Sequence, residues 1–422
     1  MRIKSVEIEK YRRLQHCRVE VASTKKNFLI NDLYGKLGIT LVAGPNGSGK
    51  TSFLSFIAQV FHNMERFPER INGEFEICYQ DVSGRECVLY RKPGYRLVFL
   101  RVQGEFDLPV WEIKPDIHPE QNVTFVCYDD IKKYLPPVII VSAFSLHGEY
   151  PSIRPKNFVG DRRLAVFDTS NLYGRNHFGF PSFSRSICLL MNSVKRKTAG
   201  IQAFEKLLGA KFTGKVLVHE RGYYVEADND DWIPYSKEVE HLEKSEIIYV
   251  NDIQLKTKSG DELRLSNMSS GQKMLFIRIL TILGKICDGA LILVEEPEIH
   301  LDPAWSRQLV SLLLLFFKDF NAYIIIATHS FSLINAVPTE CVLFAKDGSF
   351  TKPPVPTMLA NESALAGLFY DAELHEVERK ITEYFGAARV DELQKLFALL
   401  GESNVRFEVF SQIKKKFGEN NA

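Results

Sequence analysis

The stretch Gly44-Pro45-Asn46-Gly47-Ser48-Gly49-Lys50-Thr51 determines how the rest of the chain is interpreted. The apolar run before it, Ile39 to Val42, is typical of a buried strand, and the run after it, Ser52 to Phe61, is typical of a helix. Glycines between a strand and a helix let backbone N–H groups turn inward and surround phosphate oxygens. The helix N-terminus adds positive potential at the same point. The sequence therefore predicts a P-loop.

The predicted ligands of this loop are ATP and Mg²⁺. Lys50 has the reach to contact the β- and γ-phosphates, and the Thr51 hydroxyl can hold Mg²⁺. Backbone N–H groups of the loop and of the first helical turn complete the cradle. We expect the nucleotide to be bound by Asn46, Gly47, Ser48, Gly49, Lys50, Thr51 and Ser52.

Composition limits the protein class. The 422 residues suffice for two or three domains, and 53 basic against 52 acidic residues give a net charge of +1, which predicts neither nucleic acid nor membrane as a bulk partner. The seven cysteines form no C-x-x-C pair, which argues against zinc ribbons and redox motifs. The N-terminus lacks an apolar signal core, and runs such as Leu312 to Phe317 are too short to span a bilayer. We expect a soluble, cytoplasmic protein without a membrane partner.

Hydrophobic periodicity predicts an α/β protein. Two strands flank a turn at Tyr11–Arg13, and an antiparallel meander follows between Glu74 and Val102. Helix and strand patterns alternate from Met274 to Ile326 and predict a parallel sheet. We expect four regions: an N-terminal part of the core at 1–143, an inserted lobe at 144–249 with a helix near Ser184–Lys197, a C-terminal part of the core at 250–345, and a helical tail at 346–422.

Two further strands end in chemically active side chains. Leu291–Val294 ends in Glu295 and Glu296, where a carboxylate beside a P-loop directs Mg²⁺. We expect Glu295 near the metal and Glu296 as the general base that polarises water; the alternative is a solvated acidic turn. The strand Ile324–Thr328 ends in His329, which can donate a hydrogen bond to the γ-phosphate, although a lone His at a strand end is more often structural.

A small, hydroxyl-rich segment lies upstream of these strands. Met268-Ser269-Ser270-Gly271-Gln272 precedes a helix that we expect to begin near Lys273. Small hydroxyl residues at a helix N-terminus form an anion site, and taken alone they equally fit an ordinary N-cap.

The chain resembles the head of ABC-type ATPases in four motifs: Gly44–Thr51, Met268–Gln272, Ile292–Glu296 and Thr328–His329. The resemblance implies a mixed sheet with a P-loop core and an antiparallel β subdomain. It also implies that the signature helix faces the nucleotide of a partner subunit, so that Ser270, Gly271 and Gln272 would contact ATP in trans. Asp302, in Leu301-Asp302-Pro303, would match the D-loop of that family.

The acidic motif Glu296-Pro297-Glu298-Ile299-His300-Leu301 resembles the RecF, SMC-type and OLD-type branch, whereas transporter subunits carry Thr after the Pro. Sustained heptads are absent, which argues against the coiled-coil arms of SMC proteins. The segment after His329 has no strand ending in an Asp-x-Asp pair, as a Toprim nuclease would require. The chain is therefore most similar to stand-alone ATPases of bacterial anti-phage defence systems, with PtuA of Septu nearest in kind.

Such ATPases work with a separate effector, so we expect an ATP-dependent homodimer or higher homo-oligomer that controls a partner such as an HNH-type nuclease, with no intrinsic nuclease activity. The alternatives are a RecF-like clamp on DNA and a transporter subunit. Arginines in the lobe form either a surface for nucleic acid or a partner protein, or local pairs: Arg154, Arg162, Arg163 and Arg185, with His177. No Gln follows Val138–Val141, so the Q-loop residue is unassigned, with Gln80 and Gln103 as candidates by position.

Overall fold

The computed structural model of the chain describes residues 1–21, 35–66, 70–71, 73–95, 97–111, 126–143, 150–151, 164–168, 183–220, 232–362, 365–367, 376–384, 388–400 and 404–419. These residues form two compact units, Met1–Met358 and Leu359–Ala422, and each is described by itself. Among the described residues, no helix combines the length and the apolar character that a membrane crossing requires.

The first unit is built from eighteen strands and eight helices in the part of the chain described. Its elements in chain order are β1 (Arg2–Tyr11), β2 (Leu14–Glu20), β3 (Gly38–Ala43), α1 (Lys50–Arg66), β4 (Phe75–Gln80), β5 (Glu86–Arg91), β6 (Val98–Val102), β7 (Phe106–Trp111), β8 (Val126–Cys127), α2 (Tyr128–Ile131), β9 (Ile139–Ala143), β10 (Leu164–Asp168), α3 (Ser184–Arg196), α4 (Ala199–Leu208), β11 (Ala210–Glu220), β12 (Trp232–Pro234), α5 (Lys237–Lys244), β13 (Ile248–Thr257), β14 (Glu262–Arg264), α6 (Ser270–Leu283), β15 (Leu291–Glu295), α7 (Pro303–Phe317), β16 (Tyr323–Thr328), α8 (Phe331–Ile334), β17 (Val342–Lys346) and β18 (Ser349–Thr351).

A seven-stranded, mainly parallel sheet forms the centre, in the order β10-β9-β15-β16-β3-β17-β18. Every residue of β3, β15 and β16 is buried, as expected for strands covered on both faces. The register pairs Glu295 with Ala327 and Thr328 with Ala43. The carboxyl ends of these three parallel strands therefore meet at one edge of the sheet.

Helix α1 packs between this sheet and a mainly antiparallel one of order β2-β1-β4-β5-β6-β7-β8, in which β7 and β8 pair in parallel. Phe56 on α1 contacts Tyr11 of β1 and Phe75 of β4, with ring centroids 5.1 and 5.7 Å apart. Phe61 packs edge-on against Tyr79 at 5.5 Å. The predicted strand pair and meander are confirmed, since β1–β2 and β4–β5–β6 are antiparallel neighbours. The α/β class, with a P-loop core and an antiparallel sheet, is confirmed as well.

A four-stranded antiparallel sheet, β12-β11-β13-β14, carries α3, α4 and α5 and comes mostly from the predicted lobe. The predicted helix near Ser184–Lys197 is confirmed as α3. Of the five lobe residues suggested as a binding surface, Arg185 lies 3.5 Å from Glu240 and 3.6 Å from Glu243, which fits local pairing. The other four, Arg154, Arg162, Arg163 and His177, lie outside the described residues.

The second unit is helical. Its long elements are α9 (Glu376–Tyr384), α10 (Val390–Leu399) and α11 (Asn404–Glu419). Leu393 of α10 and Val409 of α11 share a small apolar core, and the Lys416 ammonium donates to the Ala388 carbonyl at 2.6 Å. The tail predicted at 346–422 contains the helices α9, α10 and α11, but the prediction that all of it is helical is wrong, because β18 (Ser349–Thr351) lies within it and pairs with β17. Gly386 and Gly401, the expected breaks, lie outside the described residues. The predicted limits of the lobe and the tail remain predictions.

An aromatic cluster joins α4 to α6 and α7, and we expect Phe204→Ala to destabilise the first unit by about 3–5 kcal/mol. Phe204 is fully buried, with ring centroids 4.5 Å from Phe276 and 5.9 Å from Phe316, so truncation leaves a cavity between three elements. Urea unfolding followed by tryptophan fluorescence measures the loss in this unit, because all three tryptophans lie within it: Trp111, Trp232 and Trp305.

Lys206→Ala is the matched control, since Lys206 is exposed on the same helix. It should change the free energy of unfolding by less than about 0.5 kcal/mol. A Phe204→Ala protein as stable as this control would contradict the packing described here.

Candidate active site

The loop between β3 and α1 forms the phosphate cradle. Gly47 and Gly49 have φ values of 81° and 101°, in the left-handed region that favours glycine. A Cβ at Gly49 would lie 2.8 Å from the Leu14 side chain, so this position also lacks space for a side chain. The Ser48 hydroxyl is buried and makes no hydrogen bond with any described residue. A buried polar atom of this kind fits a ligand that supplies its partner.

Lys50, the first residue of α1, folds back over the loop. Its ammonium donates to the carbonyls of Gly44 at 2.8 Å and Pro45 at 2.9 Å, and the side chain is buried. Burial lowers the pKa of Lys50, while the charges of Glu296, Glu298 and Glu295 oppose this shift. The nearby carboxylates therefore help to keep a buried ammonium charged where phosphates are expected.

The next residue, Thr51, contacts the end of β15. Its hydroxyl donates a short hydrogen bond to the Glu295 carboxylate, which is 2% exposed. Parallel strand order produces this contact, because β16 alone separates β15 from β3. A hydroxyl and a carboxylate are oxygen ligands of the kind that Mg²⁺ prefers. The pair predicted from the sequence as metal ligands is thus brought together.

Glu296 and His329 form an ion pair next to the loop. The His329 Nδ1 lies 3.6 Å from Glu296 Oε1 and 3.5 Å from Glu298 Oε1. The interaction with Glu296 raises the pKa of His329, and the interaction with His329 lowers the pKa of Glu296. Glu296 is therefore a carboxylate at neutral pH, as a general base must be.

The backbone at Glu296 is unusual. Its φ is 42°, in the left-handed region, which costs about 1–3 kcal/mol for a residue other than glycine. Two backbone contacts keep it there, because Glu296 N donates to Ala327 O at 2.8 Å and Ile299 N donates to Glu296 O at 3.1 Å. The chain turns sharply at this point, and the turn brings the Glu296 carboxylate to His329.

Glu298 orients His329 and was not among the predicted residues. Its Oε1 accepts from the Thr328 hydroxyl at 2.5 Å and from the His329 backbone N–H at 3.1 Å. The side chain is 9% exposed. Glu298 belongs to the acidic motif that begins at Glu296. The short spacing of the two residues was the signal from which a role for Glu298 at the site could have been predicted.

The hydroxyl-rich segment forms the N-terminus of α6. This corrects the prediction that the helix begins near Lys273: it begins at Ser270, with Ser269 as the N-cap. The Ser269 hydroxyl accepts from Gln272 N at 3.3 Å, and Gln272 Oε1 accepts from Ser269 N at 3.0 Å. This capping box satisfies helix N–H groups and places Ser270 and Gly271 in the first turn, not in a loop. We call residues 269–272 the α6 tip.

Two other contacts fix the α6 tip in the fold. Asp252 of β13 is buried and accepts from the backbone N–H groups of Leu265 and Ser266 at 2.9 and 3.2 Å, just before the tip. A Cβ at Gly271 would lie 2.8 Å from the His300 carbonyl, so glycine permits this close approach. The tip itself stays on the surface, with Ser269 and Ser270 exposed.

Asp302 is the N-cap of α7. Its Oδ1 accepts from the N–H groups of Ala304 at 2.8 Å and Trp305 at 3.0 Å, and Pro303 follows as the first helical residue. The structure therefore gives Asp302 a local capping role, and its predicted contact with a partner's nucleotide stays a prediction.

Three residues that sequence reasoning missed lie at the site. Arg13, in the β1–β2 turn, donates to the Gly47 carbonyl at 3.0 Å. Arg278 of α6 donates to the Ile299 carbonyl at 3.0 Å. Tyr150 follows β9 in the chain, and burial together with the neighbouring Glu295 charge raises its pKa. Neither Q-loop candidate shows such a link to Glu295, since Gln80 donates to Glu86 and Gln103 lies in the β6–β7 turn.

The residues present fit ATP with Mg²⁺. The buried, unbonded Ser48 hydroxyl and the Lys50 ammonium suit phosphate oxygens, and the Thr51–Glu295 oxygen pair suits the metal. The arrangement thus combines a glycine loop with a buried ammonium, a hydroxyl–carboxylate pair, and an ionised Glu296 beside His329.

Two family models match the sequence in separate segments. A model described as an AAA ATPase domain matches residues 1–132, which contain the P-loop. An AAA domain model, whose description adds AbiEii toxin and type IV TA system, matches residues 174–335, which contain the α6 tip, Glu296 and His329. The chain is an ATPase. Each of the two matched segments is similar to an AAA domain.

Solved SMC heads resemble the ATPase at low identity. The SMC head domain from Thermotoga maritima is 14% identical with a TM-score of 0.40, and the match covers 84% of the ATPase and 100% of that chain. A Smc head bound to the C-winged helix domain of ScpA is 15% identical with a TM-score of 0.43, and the match covers 86% of the ATPase and 100% of that chain. A Smc head with an extended coiled coil, bound to the C-terminal domain of ScpA derived from Pyrococcus furiosus, is 15% identical with a TM-score of 0.39. That match covers 86% of the ATPase and 98% of that chain. No curated protein matches the sequence.

We expect Glu296→Gln to lower the pKa of His329, because the interaction with Glu296 is the main cause that raises it. The ion pair stabilises the fold at pH values between the lowered pKa of Glu296 and the raised pKa of His329. Its contribution is lost as the pH rises through the pKa of His329 or falls through that of Glu296. NMR titration of histidine-labelled protein, with the signal assigned by His329→Gln, measures the change.

Glu262→Gln, at an exposed carboxylate on β14, is the control and should leave the titration of His329 unchanged. An equal pKa of His329 in the wild-type and Glu296→Gln proteins would rule out the ion pair.

Proposed function

We propose that the ATPase dimerises head to tail and closes around two ATP molecules. Each site would combine the P-loop, Glu295, Glu296 and His329 of one copy with the α6 tip of the other. The observation that carries this proposal is the division of the site. The catalytic groups gather at one sheet edge, while the α6 tip is exposed and the side chains of Ser269 and Gln272 bond to each other's backbone N–H groups in the capping box.

The roles of the residues in hydrolysis follow from their positions. The N–H groups of the loop, the Ser48 hydroxyl and Lys50 would bind the phosphates, with Lys50 exchanging the carbonyls of Gly44 and Pro45 for phosphate oxygens. Thr51 and Glu295 would hold Mg²⁺, which when bound neutralises phosphate charge.

Glu296, ionised through its pairing with His329, would accept a proton from water as the water oxygen attacks the γ-phosphorus. The bond between that phosphorus and the bridging oxygen of ADP then breaks. His329, whose pKa is raised by Glu296 and Glu298, would donate to a γ-phosphate oxygen and stabilise the charge that develops there.

The α6 tip would supply the second half of the site. Ser270, Gly271 and Gln272, predicted as trans contacts, lie in the first helical turn, where N–H groups and the helix dipole favour an anion. Ser269 joins them as the N-cap with an exposed hydroxyl. Because Gln272 Oε1 is bound to Ser269 N, the amide nitrogen of Gln272 is the group that would face a partner's nucleotide.

The output of the cycle would be control of a separate effector. We propose a bacterial anti-phage defence complex of the PtuA kind, in which the ATP-dependent dimer holds or releases an HNH-type nuclease. The toxin and type IV TA system in the description of the second matching family support a defence context. Two states of the dimer, with and without ATP, would present different surfaces to that partner.

We expect Glu296→Gln to bind ATP, to hydrolyse it at least about a hundredfold more slowly, and to accumulate as a dimer. Adding Ser270→Arg should abolish the dimer, because a long cation at the exposed tip blocks close approach, while ATP affinity per monomer stays unchanged. Light scattering after gel filtration measures the mass, and a fluorescent ATP analogue measures affinity.

The control is Ser83→Arg in the Glu296→Gln background, which places the same side chain in the exposed β4–β5 turn and should leave the dimer intact. A persistent dimer in the Ser270→Arg protein would contradict the proposed interface. Wild-type hydrolysis by Glu296→Gln would remove Glu296 from the role of base.

The first test of the effector is whether an HNH-type gene lies adjacent to the gene of this ATPase, and the second is co-expression of the two proteins. Copurification, with DNA cleavage that changes when Lys50→Met removes ATP binding, is the expected result. If the purified ATPase cleaved DNA by itself, and a second purification step did not remove this cleavage activity, control of a separate nuclease would be contradicted.

A RecF-like DNA clamp is the second candidate, and a groove of about 470 Å³ favours it. Four lysines line the groove, namely Lys206, Lys211, Lys256 and Lys258. Lys211 and Lys256 are direct cross-strand neighbours, a like-charge pairing that is unfavourable unless an anion intervenes. If duplex DNA binds there, Lys211→Ala with Lys256→Ala should reduce the slope of log affinity against log salt by about 2, whereas Lys395→Ala in the second unit should not.

A further inference from the structure

Arg278 is a charged residue inside an apolar helix. It lies on α6 about two turns beyond the α6 tip, among residues that are nearly all buried, and it is itself 1% exposed. A guanidinium stays charged in proteins, and taking it out of water is unfavourable unless polar groups surround it. The contacts of Arg278 therefore indicate what the residue does.

Two of those contacts are with the turn that contains Glu296, the proposed general base. The Arg278 Nη2 donates to the Ile299 carbonyl at 3.0 Å and makes a longer contact of 3.5 Å with the Glu296 carbonyl. Both acceptors belong to the turn after β15. Arg278 thus bridges the two ends of the turn that begins at Glu296.

The same turn has a backbone that needs support. Glu296 and His300 both have positive φ values, 42° and 67°. The turn also touches α6 at a second point, where Gly271 admits the His300 carbonyl. Helix α6 is therefore joined to the turn near its N-terminus through Gly271 and further along through Arg278. A displacement of the α6 tip would be transmitted to the Glu296 backbone through both contacts.

We propose that Arg278 is a positioning residue for Glu296 and links the α6 tip to the base of the same copy. Arg278 contacts carbonyls, not the reacting atoms, so its effect passes through the placement of the Glu296 carboxylate beside His329. The link to the tip rests on the proposed dimer. When the tip engages a partner's nucleotide, α6 would fix the turn, and the base would be set for hydrolysis only in the closed dimer.

The competing explanation is that Arg278 only stabilises the fold. The two explanations differ in which measured property a substitution of Arg278 changes. A positioning role predicts a loss in kcat with ATP binding unchanged, because the P-loop contacts do not involve α6. A purely structural role predicts lower stability, with binding and hydrolysis both reduced or both retained.

We expect Arg278→Met, which keeps the length but removes the donors, to lower kcat at least about tenfold while the affinity for ATP stays within about twofold. Arg278→Lys, with one ammonium able to reach a carbonyl, should recover part of the loss. Thr281→Val is the matched control, because Thr281 is buried on the same helix and its hydroxyl donates to the Arg278 carbonyl within α6. It should retain the wild-type kcat.

A double-mutant cycle with Glu296→Gln, measured by single-turnover hydrolysis, gives the decisive comparison. If Arg278 acts through Glu296, Arg278→Met should slow the Glu296→Gln protein by less than about twofold. A full additional loss in that background would overturn the proposal, and so would wild-type kcat in Arg278→Met. If Arg278→Met does not fold, as judged by circular dichroism, Arg278→Lys enters the same cycle with the same criteria. Failure of the proposed function would appear separately, as normal hydrolysis by Glu296→Gln alone.

Discussion

The parallel pairing of β15, β16 and β3 is the constraint on which the site depends. Hydrogen bonds between these strands fix Glu295 next to Ala327 and Thr328 next to Ala43. Residues separated by more than two hundred positions in the chain therefore meet at one edge of the sheet, as Thr51 and Glu295 do. A shift of one residue in this register would turn every strand side chain to the opposite face and separate the Glu295 carboxylate from the P-loop.

Opposite charges meet at this edge of the sheet. Burial lowers the pKa of Lys50, and the charges of Glu296, Glu298 and Glu295 oppose that shift. Glu296 and His329 shift each other's pKa in the directions that favour their charged forms. The surrounding layers keep the geometry fixed. Helix α1 is packed between two sheets, and α6 is tied through Gly271 and Arg278 to the turn that bears Glu296. The α6 tip lies on the surface, and so do Asn46 and Gly47 of the P-loop and His329.

Sequence reasoning predicted those parts of the site that follow from local patterns. The P-loop, Glu295 and His329 each follow a buried apolar strand, and parallel strands bring such ends together. The start of α6 was misplaced because Ser-Ser-Gly favours loops, although Ser269 and Gln272 have the spacing of a capping box and carried the signal. Arg13, Glu298 and Arg278 were missed because their contacts are tertiary. For Arg278, the only signal in the sequence was the position of a lone Arg within the apolar run of α6.

Mixing two inactive proteins tests most directly whether each site is shared between copies. Lys50→Met disables the P-loop and leaves the α6 tip intact, whereas Ser270→Arg disables the tip and leaves the P-loop intact. If the sites are composite, a mixed dimer contains one complete site, and only one of its two tips carries the blocking substitution. A mixture of equal amounts should therefore regain ATPase activity, up to about a quarter of the wild-type rate, which is the value for unhindered random pairing. A mixture that remains as inactive as its two components, although the proteins exchange subunits, would contradict the account.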